Sequence, residues 1–464
     1  MIPVVTPEEM KAVDEAASEP VEVLIQRAGA AVARTALRML GGGYGRRVVV
    51  VAGKGNNGAD GRAAAAVLER RGVRVTVLDA AAAAALDQVP PCDLVIDAAY
   101  GTGFRGEYHP PDPGRARVLA VDVPSGPELR ADVTVTFAAL KPVLLLGDGT
   151  ERAGRIELAD IGLDVSRART HVVEDADVEA GLPVRPRTSH KWQTAVFVAA
   201  GSPGMLGAPM LVSHAAMRAG AGYVRLGVPG GQPGGTPPSE VVAVPLPAAD
   251  WDKAVLPELD RCKALVVGPG LGRSDAVTVA VRSLLAAAPV PVVVDADGLN
   301  ALGAVDEVAA IVADRTDATI LTPHAGEFAR IADHAVSEDP IDDARRLAAR
   351  TGAIVLLKGP TTVVASPGGE VLLSTSGSAR LATAGTGDVL SGVIGAFLAS
   401  GVPPLRAAAF GAHVHGRAAA LGYQRGLVAG DLPELVAAWL SGRRGRRGRR
   451  GWGHRGQRHP PSRG

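Results

Sequence analysis

Short runs of β-branched residues alternate with longer alanine-rich segments over most of this 464-residue chain. RRVVVVAG, from Arg46, is typical of a buried strand, and ADGRAAAAVLERRG, from Ala59, is typical of a helix. The same alternation restarts at AVFVAAG, from Ala195, after a polar, proline-punctuated stretch at 164–190. Because strands that alternate with helices form parallel sheets, the pattern predicts an α/β protein with two doubly wound domains.

The length supports two domains, since one ordinary hydrophobic core does not serve a chain of this size. We place the first domain at residues 1–168 and the second at 172–442. Residues 443–464 contain nine arginines, no acidic residue and few apolar ones, which predicts a disordered Arg/Gly-rich tail. Such a tail could bind RNA, but the net charge of +1 includes these arginines, so the remainder is acidic and no nucleic-acid partner is expected.

Cysteine and hydrophobicity patterns exclude further classes. The two cysteines, Cys92 and Cys262, are far apart and lack metal-ligand spacing. No basic segment followed by an apolar run marks a secretion signal, and no stretch approaches the roughly 18 apolar residues of a membrane helix. The sequence therefore predicts a cytoplasmic enzyme without a membrane partner.

The first glycine loop has two interpretations. GKGNNG, at 53–58, matches the G-x-G-x-x-G pattern between a strand and a helix. Asp79 follows about twenty residues later, where a ribose-binding acid stands in dinucleotide-binding proteins. This pattern alone favours an NAD-dependent oxidoreductase, which stays open as an alternative.

Polar side chains at several predicted strand ends indicate a more particular site. They are Asn56, Asn57 and Asp60 in the glycine loop, then Asp97, the loop Gly101, Thr102 and Gly103, and finally Asp122 and Ser125. The carboxyl ends of parallel strands line one crevice, so these groups are expected to converge. Carboxylate, amide and hydroxyl oxygens suit an alkali or alkaline-earth cation.

In this order, the segments VLIQRAG, GKGNNGADG, DLVIDAAYGTGF, VLAVDVPSG, TVTFAALKP and GRIELADIGL resemble the NAD(P)H-hydrate epimerases, a family with a Rossmann-like fold. The resemblance covers nearly all of residues 1–165. It implies that K⁺ is held by Asn57, Asp97 and Ser125. It also implies contacts to the hydrated dinucleotide from Asn56, Asn57, Asp60, Gly101, Thr102, Gly103 and Asp122. Epimerisation needs an acid–base group, for which Asp122 is the candidate and Lys141 its partner.

Two features depart from the epimerase pattern. Ala59 stands where the family usually has glycine, which would be costly if the backbone there had a positive φ. The stretch PELRADVTV after PSG is shorter than usual. A non-catalytic binding module is therefore the alternative for the first domain.

The second domain contains ATAGTGDVLSGVIGAF, from Ala382, in which small residues lead into a predicted helix. The amino terminus of a helix exposes N–H groups and favours a phosphate. Asp388 lies next to this turn. For a lone aspartate a helix-capping role is the plain alternative, but the neighbouring motifs favour a role in the site.

Those motifs are GSPGMLGAP at 201–209, GPGLG at 268–272, DADGLN at 295–300, TPHAGE at 322–327 and LLKGPTT at 356–362. Together they resemble the ADP/ATP-dependent NAD(P)H-hydrate dehydratases, which have a ribokinase-like fold, from about Ser189 to Leu432. The resemblance implies dinucleotide contacts from Ala208, Gly272, His324 and Asp388. It implies adenine-nucleotide contacts from Lys358, Gly359, Pro360, Thr361, Thr362 and Gly387.

The implied chemistry is transfer of a phosphoryl group from ADP or ATP to the ring hydroxyl, with Asp388 as base and Mg²⁺ offsetting the phosphate charge. Phosphate then leaves and NADH or NADPH re-forms. Departures from the family are Trp192 and Gln193, expected to alter the site entrance, and Gly430, expected to weaken a phosphate contact. The rival interpretation is a ribokinase-like vitamin kinase, and a homo-oligomer is a family-level expectation.

Overall fold

The computed structural model describes residues 1–231 and 240–442, so the predicted tail at 443–464 lies outside the described residues. The chain divides into two compact units. Unit 1 comprises Met1–Asp177, Val336–Arg346 and Gly359–Thr375, and unit 2 comprises Val178–Ala335, Leu347–Lys358 and the residues from Ser376 onward. Within the described ranges, no helix has the length and apolarity to cross a membrane.

The strands are β1 (Ile2–Val4), β2 (Arg47–Ala52), β3 (Arg74–Asp79), β4 (Leu94–Ala98), β5 (Arg117–Val121), β6 (Val133–Phe137), β7 (Arg155–Ala159), β8 (Thr170–Val172), β9 (Ala195–Ala199), β10 (Tyr223–Pro229), β11 (Val242–Leu246), β12 (Ala264–Val267), β13 (Val292–Val294), β14 (Thr319–Leu321), β15 (Ile354–Leu357), β16 (Thr362–Ala365) and β17 (Val371–Ser374).

The α-helices are α1 (Pro7–Glu15), α2 (Val21–Leu40), α3 (Asn56–Arg70), α4 (Ala80–Ala83), α5 (Gly149–Arg152), α6 (Asp175–Gly181), α7 (Gly207–Arg218), α8 (Trp251–Val255), α9 (Asp275–Ala287), α10 (Asp297–Leu302), α11 (Val305–Val312), α12 (Ala325–Ala332), α13 (Pro340–Thr351), α14 (Thr386–Ala399), α15 (Pro404–Leu421) and α16 (Leu432–Leu440). Short 3₁₀ turns occur at Pro142–Leu144, Lys191–Thr194, Leu256–Arg261, Ala379–Leu381 and Ala429–Asp431.

Unit 1 contains a six-stranded parallel sheet in the order β3-β2-β4-β5-β6-β7. Its strands β2, β4 and β5 are nearly continuous apolar runs, as buried parallel strands require, whereas the edge strands β3 and β7 are partly exposed. Helices α2 and α3 pack closely because small residues meet at their contact. A Cβ on Gly29 would lie only 2.5 Å from the Cβ of Ala63.

The strand order of this sheet positions its site. Counted from β2, the order is 2-1-3-4-5-6, whereas the dinucleotide-binding fold has 3-2-1-4-5-6. The order reverses between β2 and β4, and ligands of open α/β sheets bind outside such a reversal. The doubly wound prediction is confirmed. After β6 the chain forms a 3₁₀ turn at Pro142–Leu144, where Pro142 lacks the N–H that a sheet ladder needs.

The remaining strands of unit 1 form short pairs. β1 runs antiparallel to β8, β8 runs parallel to β17, and β17 runs antiparallel to β16.

Unit 2 contains parallel strands in the order β15-β14-β13-β12-β9-β10-β11. Counted from β9, this is 3-2-1-4-5-6-7, with the reversal between β9 and β12. Helix α14 packs on β9, β12 and β13. All but two of its residues are buried, which explains its nearly unbroken apolar sequence.

Candidate functional site

A cavity of about 950 Å³ opens in unit 1, lined by the loops after β2 and β4. Its glycine turn allows backbone segments to meet where no side chain fits. A Cβ on Gly53 would lie 1.9 Å from the carbonyl oxygen of Ala99, and one on Gly58 would lie 1.9 Å from that of Gly53. The first and last glycines of the predicted loop therefore serve contacts within the protein itself.

Asn57 has an unsatisfied side chain at this cavity. Its amide nitrogen and oxygen are both buried, and neither has a hydrogen-bond partner among the described residues. An unpaired buried amide costs roughly 1–3 kcal/mol. The cavity therefore offers polar atoms that need an occupant.

Asp97 and Ser125, the other residues of the predicted cation site, are bonded to each other. The backbone N–H of Ser125 donates to Asp97 Oδ2 at 2.7 Å, and Ser125 Oγ bonds the backbone N and O of Tyr100, both at 3.0 Å. Burial raises the pKa of Asp97 to about 6, against the lowering effect of the Ser125 hydrogen bonds. Within residues 1–231 and 240–442, no cluster of three His, Cys, Asp or Glu residues suits a metal. The amide, carboxylate and hydroxyl oxygens fit K⁺ better than a transition metal.

Asp122 faces the same cavity and is held by Lys141. The Lys141 ammonium is 2% exposed and lies 2.6 Å from Asp122 Oδ1. It also donates to Thr136 Oγ1 at 3.0 Å and to the Phe137 carbonyl at 2.9 Å, so each of its three protons has an acceptor. Asp122 adopts a positive φ of 65°, an uncommon conformation for a residue other than glycine. This arrangement fixes the reactive carboxylate and leaves Lys141 no donor for a substrate.

Asp60 supplies a second carboxyl group to the cavity. Burial, followed by the charges of Asp122 and Asp14, raises its pKa to about 8. A carboxyl group with a pKa of about 8 is mostly protonated at neutral pH and can donate a hydrogen bond. The cavity thus contains a candidate acid beside the carboxyl group that is paired with Lys141.

The other predicted first-domain residues also line this cavity: Asn56, Gly101, Thr102 and Gly103. Asp79, the ribose-binding candidate of the oxidoreductase interpretation, caps α4 by accepting from the Ala81 N–H at 2.9 Å. Sequence reasoning missed Tyr100 and Phe104, whose rings stack at 3.8 Å in the lining. A cluster of aromatics in a chain with only 3% of them was the available signal.

In unit 2 the loops after β9 and β12 meet at the strand-order reversal. Gly201 N–H donates to the Pro269 carbonyl at 2.7 Å, and Ser202 Oγ donates to the Gly270 carbonyl at 2.9 Å. Ala208 lies against this junction, because a Cβ on Gly270 would be 3.3 Å from the Ala208 Cβ. The motifs at 201–209 and 268–272 therefore form one surface.

Gly272 and His324 each form hydrogen bonds within the protein. Gly272 N–H donates to Asp297 Oδ2 at 3.0 Å. His324 caps α12: its Nδ1 accepts from the Gly326 and Glu327 N–H groups, at 3.0 and 3.3 Å. Because Nδ1 accepts, this network assigns the imidazole proton to Nε2. The imidazole is 56% exposed, so Nε2–H is able to donate to a ligand.

Asp388 lies in the first turn of α14 and does not cap the helix. The cap position is Gly385, with φ of 90°, and it makes no side-chain cap bond. Burial, followed by the charge of Asp295, raises the pKa of Asp388 to about 7, while Lys358 acts in the opposite direction. The capping interpretation is therefore not supported. A half-buried carboxyl with a pKa near neutrality suits a general base.

Lys358 belongs to a network that sequence reasoning missed. Its ammonium lies 2.6 Å from Asp295 Oδ1, and Ser391 Oγ donates to Asp295 Oδ2 at 2.6 Å. A Cβ on Gly387 would lie 3.4 Å from Lys358 Nζ, so the glycine leaves the ammonium uncovered at the start of α14. DADGLN had marked Asp295 as part of a motif, but not its partner 63 residues away.

His415, on α15, is a second missed residue. Burial, followed by the Lys358 charge, lowers its pKa to about 4, against the effect of a hydrogen bond to the Thr386 backbone. It is therefore neutral at physiological pH. Its Nε2 is buried without a partner among the described residues.

The comparisons with known proteins agree with the families that the motifs of the two domains resemble. A family model described as NAD(P)H-hydrate dehydratase matches residues 196–440, and one described as YjeF-related protein N-terminus matches residues 21–88. The bifunctional NAD(P)H-hydrate repair enzyme of Mycobacterium tuberculosis is 40% identical over 439 residues, covering 85% of this chain and 88% of that protein. The chain belongs to the family of bifunctional NAD(P)H-hydrate repair enzymes.

Other family members and one solved structure extend the comparison. The enzyme of the same description from Escherichia coli is 33% identical, over 83% of this chain and 84% of its own. A ribokinase-like superfamily protein from Enterococcus faecalis has a TM-score of 0.52 at 20% identity, covering 59% of this chain and 96% of that chain. The ribokinase-like fold predicted for the second domain is thereby confirmed.

The structure places the departures from the family pattern. Ala59 is helical and not among the residues with positive φ, so the strain expected there is absent. Trp192 and Gln193 lie in the 3₁₀ turn that precedes β9, at the end of that strand opposite the loops described above. The expected effect on the site entrance therefore has no structural basis within unit 2. A Cβ on Gly430 would meet no atom within 4 Å, so this position has room for serine.

The predicted nucleotide residues are distributed over both units. Lys358 and Gly387 belong to unit 2, whereas Gly359, Pro360, Thr361 and Thr362 belong to unit 1. In unit 1 Thr361 Oγ1 donates to the Leu145 carbonyl at 2.6 Å. The Thr361 hydroxyl is therefore already engaged within the protein.

Proposed function

We propose that this protein repairs hydrated NADH and NADPH, with residues 1–168 interconverting the R and S hydrates and residues 172–442 dehydrating the S hydrate with ADP or ATP. The observation that carries the proposal is Asp388. Its carboxyl has a pKa of about 7 and lies beside Lys358 at the amino terminus of α14. Family membership supplies the substrate class.

For dehydration, α14 and Lys358 would bind the phosphates of the nucleotide, together with Gly387 and the segment Gly359, Pro360, Thr361 and Thr362. Asp388 takes the proton of the ring hydroxyl as the hydroxyl oxygen attacks the terminal phosphorus of the nucleotide, and the bond to that phosphorus breaks to release AMP from ADP, or ADP from ATP. The C–O bond then breaks with phosphate as leaving group, a neighbouring carbon loses a proton, and the ring double bond re-forms. Mg²⁺ would accompany the phosphates and offset their charge.

The hydrated dinucleotide would lie against Ala208, Gly272 and His324. His324 can donate through Nε2–H, and the Gly272 loop is anchored by Asp297. These contacts place the ring hydroxyl near Asp388 in the proposed complex.

For epimerisation, the hydroxyl is attached to a carbon next to the ring nitrogen, because water adds to an enamine at that carbon. The nitrogen lone pair can expel the hydroxyl as water, and water can return from the other face. Asp60, protonated below a pKa of about 8, would protonate the leaving oxygen. Asp122, fixed by Lys141, would accept the proton of the incoming water.

K⁺ would be held by Asn57, Asp97 and Ser125, which would give the unpaired Oδ1 of Asn57 a partner. When bound, the cation supplies positive charge for the phosphates of the dinucleotide. Asn56 and the loop Gly101, Thr102 and Gly103 would contact the same substrate.

The test is the absorbance of reduced nicotinamide, using mixed hydrates of NADH and then NADPH with K⁺, Mg²⁺ and either ADP or ATP. Full, nucleotide-dependent recovery supports both activities. Recovery that stops at the S fraction refutes the epimerase half and retains the dehydratase. A stable phosphorylated product from an alcohol, without recovery, points to the small-molecule kinase instead.

A further inference from the structure

Asp295 lies directly after β13 and is 1% exposed. Three donors occupy its carboxylate: the Lys358 ammonium at 2.6 Å and the Ala296 N–H at 2.9 Å on Oδ1, and Ser391 Oγ at 2.6 Å on Oδ2. These donors offset the cost of burying the carboxyl group. They engage three of its roughly four acceptor sites, which disfavours a role as base or as a ligand of Mg²⁺.

The turn that carries Asp295 has an uncommon backbone. Ala296 has φ 51° and ψ −121°, although it is not glycine. Such a conformation costs about 1–3 kcal/mol and persists only where the surroundings enforce it. Here it accompanies the bond from the Ala296 N–H to Asp295, so the carboxylate is held from its own backbone as well.

Lys358 is placed by this carboxylate beside the first turn of α14. The position of a Cβ on Gly387 is 3.4 Å from Lys358 Nζ and 3.8 Å from Asp295 Oδ2, and Gly387 directly precedes Asp388. The Lys358 side chain is 22% exposed. Without Asp295, the flexible lysine would be attracted to the unpaired carboxylate of Asp388.

We infer that Asp295 is a positioning residue for phosphoryl transfer. It holds the Lys358 ammonium at the amino terminus of α14 for a nucleotide phosphate, and it keeps that ammonium from pairing with Asp388. The inference rests on the proposed dehydratase function and adds to it a residue that touches neither substrate.

The charges around Asp388 make the inference measurable. Asp295, Lys358, Asp297 and Glu327 act on it, and His415 is neutral in this range. Replacing Asp295 with Asn removes a negative charge and frees Lys358 to approach, and both changes lower the pKa of Asp388. Asp388 then stays ionised to lower pH, so the acid limb of kcat/KM moves to lower pH.

The experiment compares Asp295→Asn with Asp252→Asn in the full-length protein. Asp252 is also buried, accepts from Ser283 Oγ at 2.7 Å and lies in α8, outside the proposed site. For Asp295→Asn we expect the KM for ADP to rise about tenfold, since a charge-assisted bond no longer fixes Lys358, and the acid limb to shift. Asp252→Asn should change neither. Wild-type KM and pH profile in Asp295→Asn, or equal changes in both variants, would overturn the inference.

A double variant separates positioning from a general loss of packing. In a Lys358→Met background, Asp295→Asn should add no further increase in KM, because the residue that it positions is gone. A further tenfold increase there would overturn the inference. If Asp295→Asn does not fold, Ser391→Ala carries the test instead. It removes the donor that fixes Oδ2, so the KM for ADP should rise, whereas the acid limb should stay in place because the charge of Asp295 is retained. An unchanged KM in a folded Ser391→Ala would then count against the positioning role.

The proposed function can fail separately. A wild-type protein without nucleotide-dependent recovery of NADH would contradict the dehydratase assignment. Calorimetric affinities for ADP in the wild type, Asp295→Asn and Asp252→Asn would then decide the positioning role alone: it stands only if Asp295→Asn binds more weakly than the other two.

Discussion

Each unit contains one lysine–aspartate pair at its candidate site. The lysine is the more buried partner in one pair, and the aspartate is the more buried partner in the other. Both have an N···O distance of 2.6 Å. In unit 1 the side chain of Lys141 is 2% exposed and that of Asp122 is 16% exposed. In unit 2 the side chain of Asp295 is 2% exposed and that of Lys358 is 22% exposed. The more exposed partner is therefore the carboxylate in unit 1 and the ammonium in unit 2.

This reversal matches the chemistry proposed for each unit. Proton transfer at a carbinolamine needs a fixed carboxylate, so the lysine is the buried support. Phosphoryl transfer needs a fixed positive charge, so the aspartate is the buried support and a separate residue, Asp388, is the base. Under the proposed mechanisms, the same type of ion pair would serve two reactions, depending on which partner is buried.

The largest effect is expected from Asp388→Asn, which tests whether the unit 2 pair needs a separate base. Dehydration of the S hydrate should fall by about 10²–10⁴-fold, as for loss of a general base. The ADP affinity, measured by calorimetry, should be retained because Lys358 is untouched. Near-normal turnover would mean that the base lies elsewhere.

Asp122→Ala tests the exposed partner of the unit 1 pair. Use of the R hydrate should decline by about 10²-fold or more through loss of the acid–base group. Dehydration of pure S hydrate should stay at the wild-type rate. Consumption of both epimers at their original rates would show that the wrong residue of the cavity was chosen.

Replacing each lysine by Met directly tests the difference in burial between the two pairs. Lys141→Met leaves Asp122 without its buried partner, and we expect a loss of up to about 3 kcal/mol in the free energy of unfolding. Lys358→Met removes a partly exposed group and should chiefly raise the KM for ADP. Chemical denaturation and steady-state kinetics measure the two effects, and equal loss of stability in both variants would contradict the comparison.

The two activities should also respond to pH in opposite directions. Asp388 must be ionised to act, so dehydration falls as pH drops through its pKa of about 7. Asp60 must be protonated to act, so epimerisation falls as pH rises through about 8. Separate assays of pure S and pure R hydrate measure both profiles. Parallel profiles would exclude these assignments.

The smallest effect is expected from the cation. Exchange of K⁺ for Li⁺ should slow epimerisation several-fold, since the smaller ion is coordinated poorly by the Asn57 oxygen. The Asn57→Ala variant should lose this dependence on the cation. Dehydration in the same buffers is the control. An epimerisation rate that ignores the cation would contradict the K⁺ site.

Much of this organisation could be predicted from local sequence. Buried parallel strands leave unbroken runs such as VVVV before Gly53, and ligand loops follow them, so the motifs at 53–58 and 268–272 indicated sites without any structure. The strand order was not predictable, because pairing across a sheet leaves little trace in one sequence. The burial of Asp295 against Lys358 depends on residues 63 positions apart.

Some residue roles were settled only by local geometry. His324 was expected as a ligand residue, and the structure shows that one of its nitrogens caps α12. Asp388 had a capping alternative, which the position of Gly385 removes. A shift of one residue in where a helix begins decides whether a side chain caps that helix. Sequence periodicity does not resolve such a shift.

The buried partners of the two pairs, Lys141 and Asp295, also limit which substitutions this sequence can accept. The chain contains 42 arginines and only seven lysines, and four of those seven, Lys11, Lys54, Lys141 and Lys358, lie at the two candidate sites. A planar guanidinium cannot occupy a pocket shaped for three acceptors around one nitrogen, so arginine is no substitute at position 141. Position 141 is therefore one to which the preference of this composition for arginine cannot extend, whereas an exposed lysine such as Lys253 is under no such constraint.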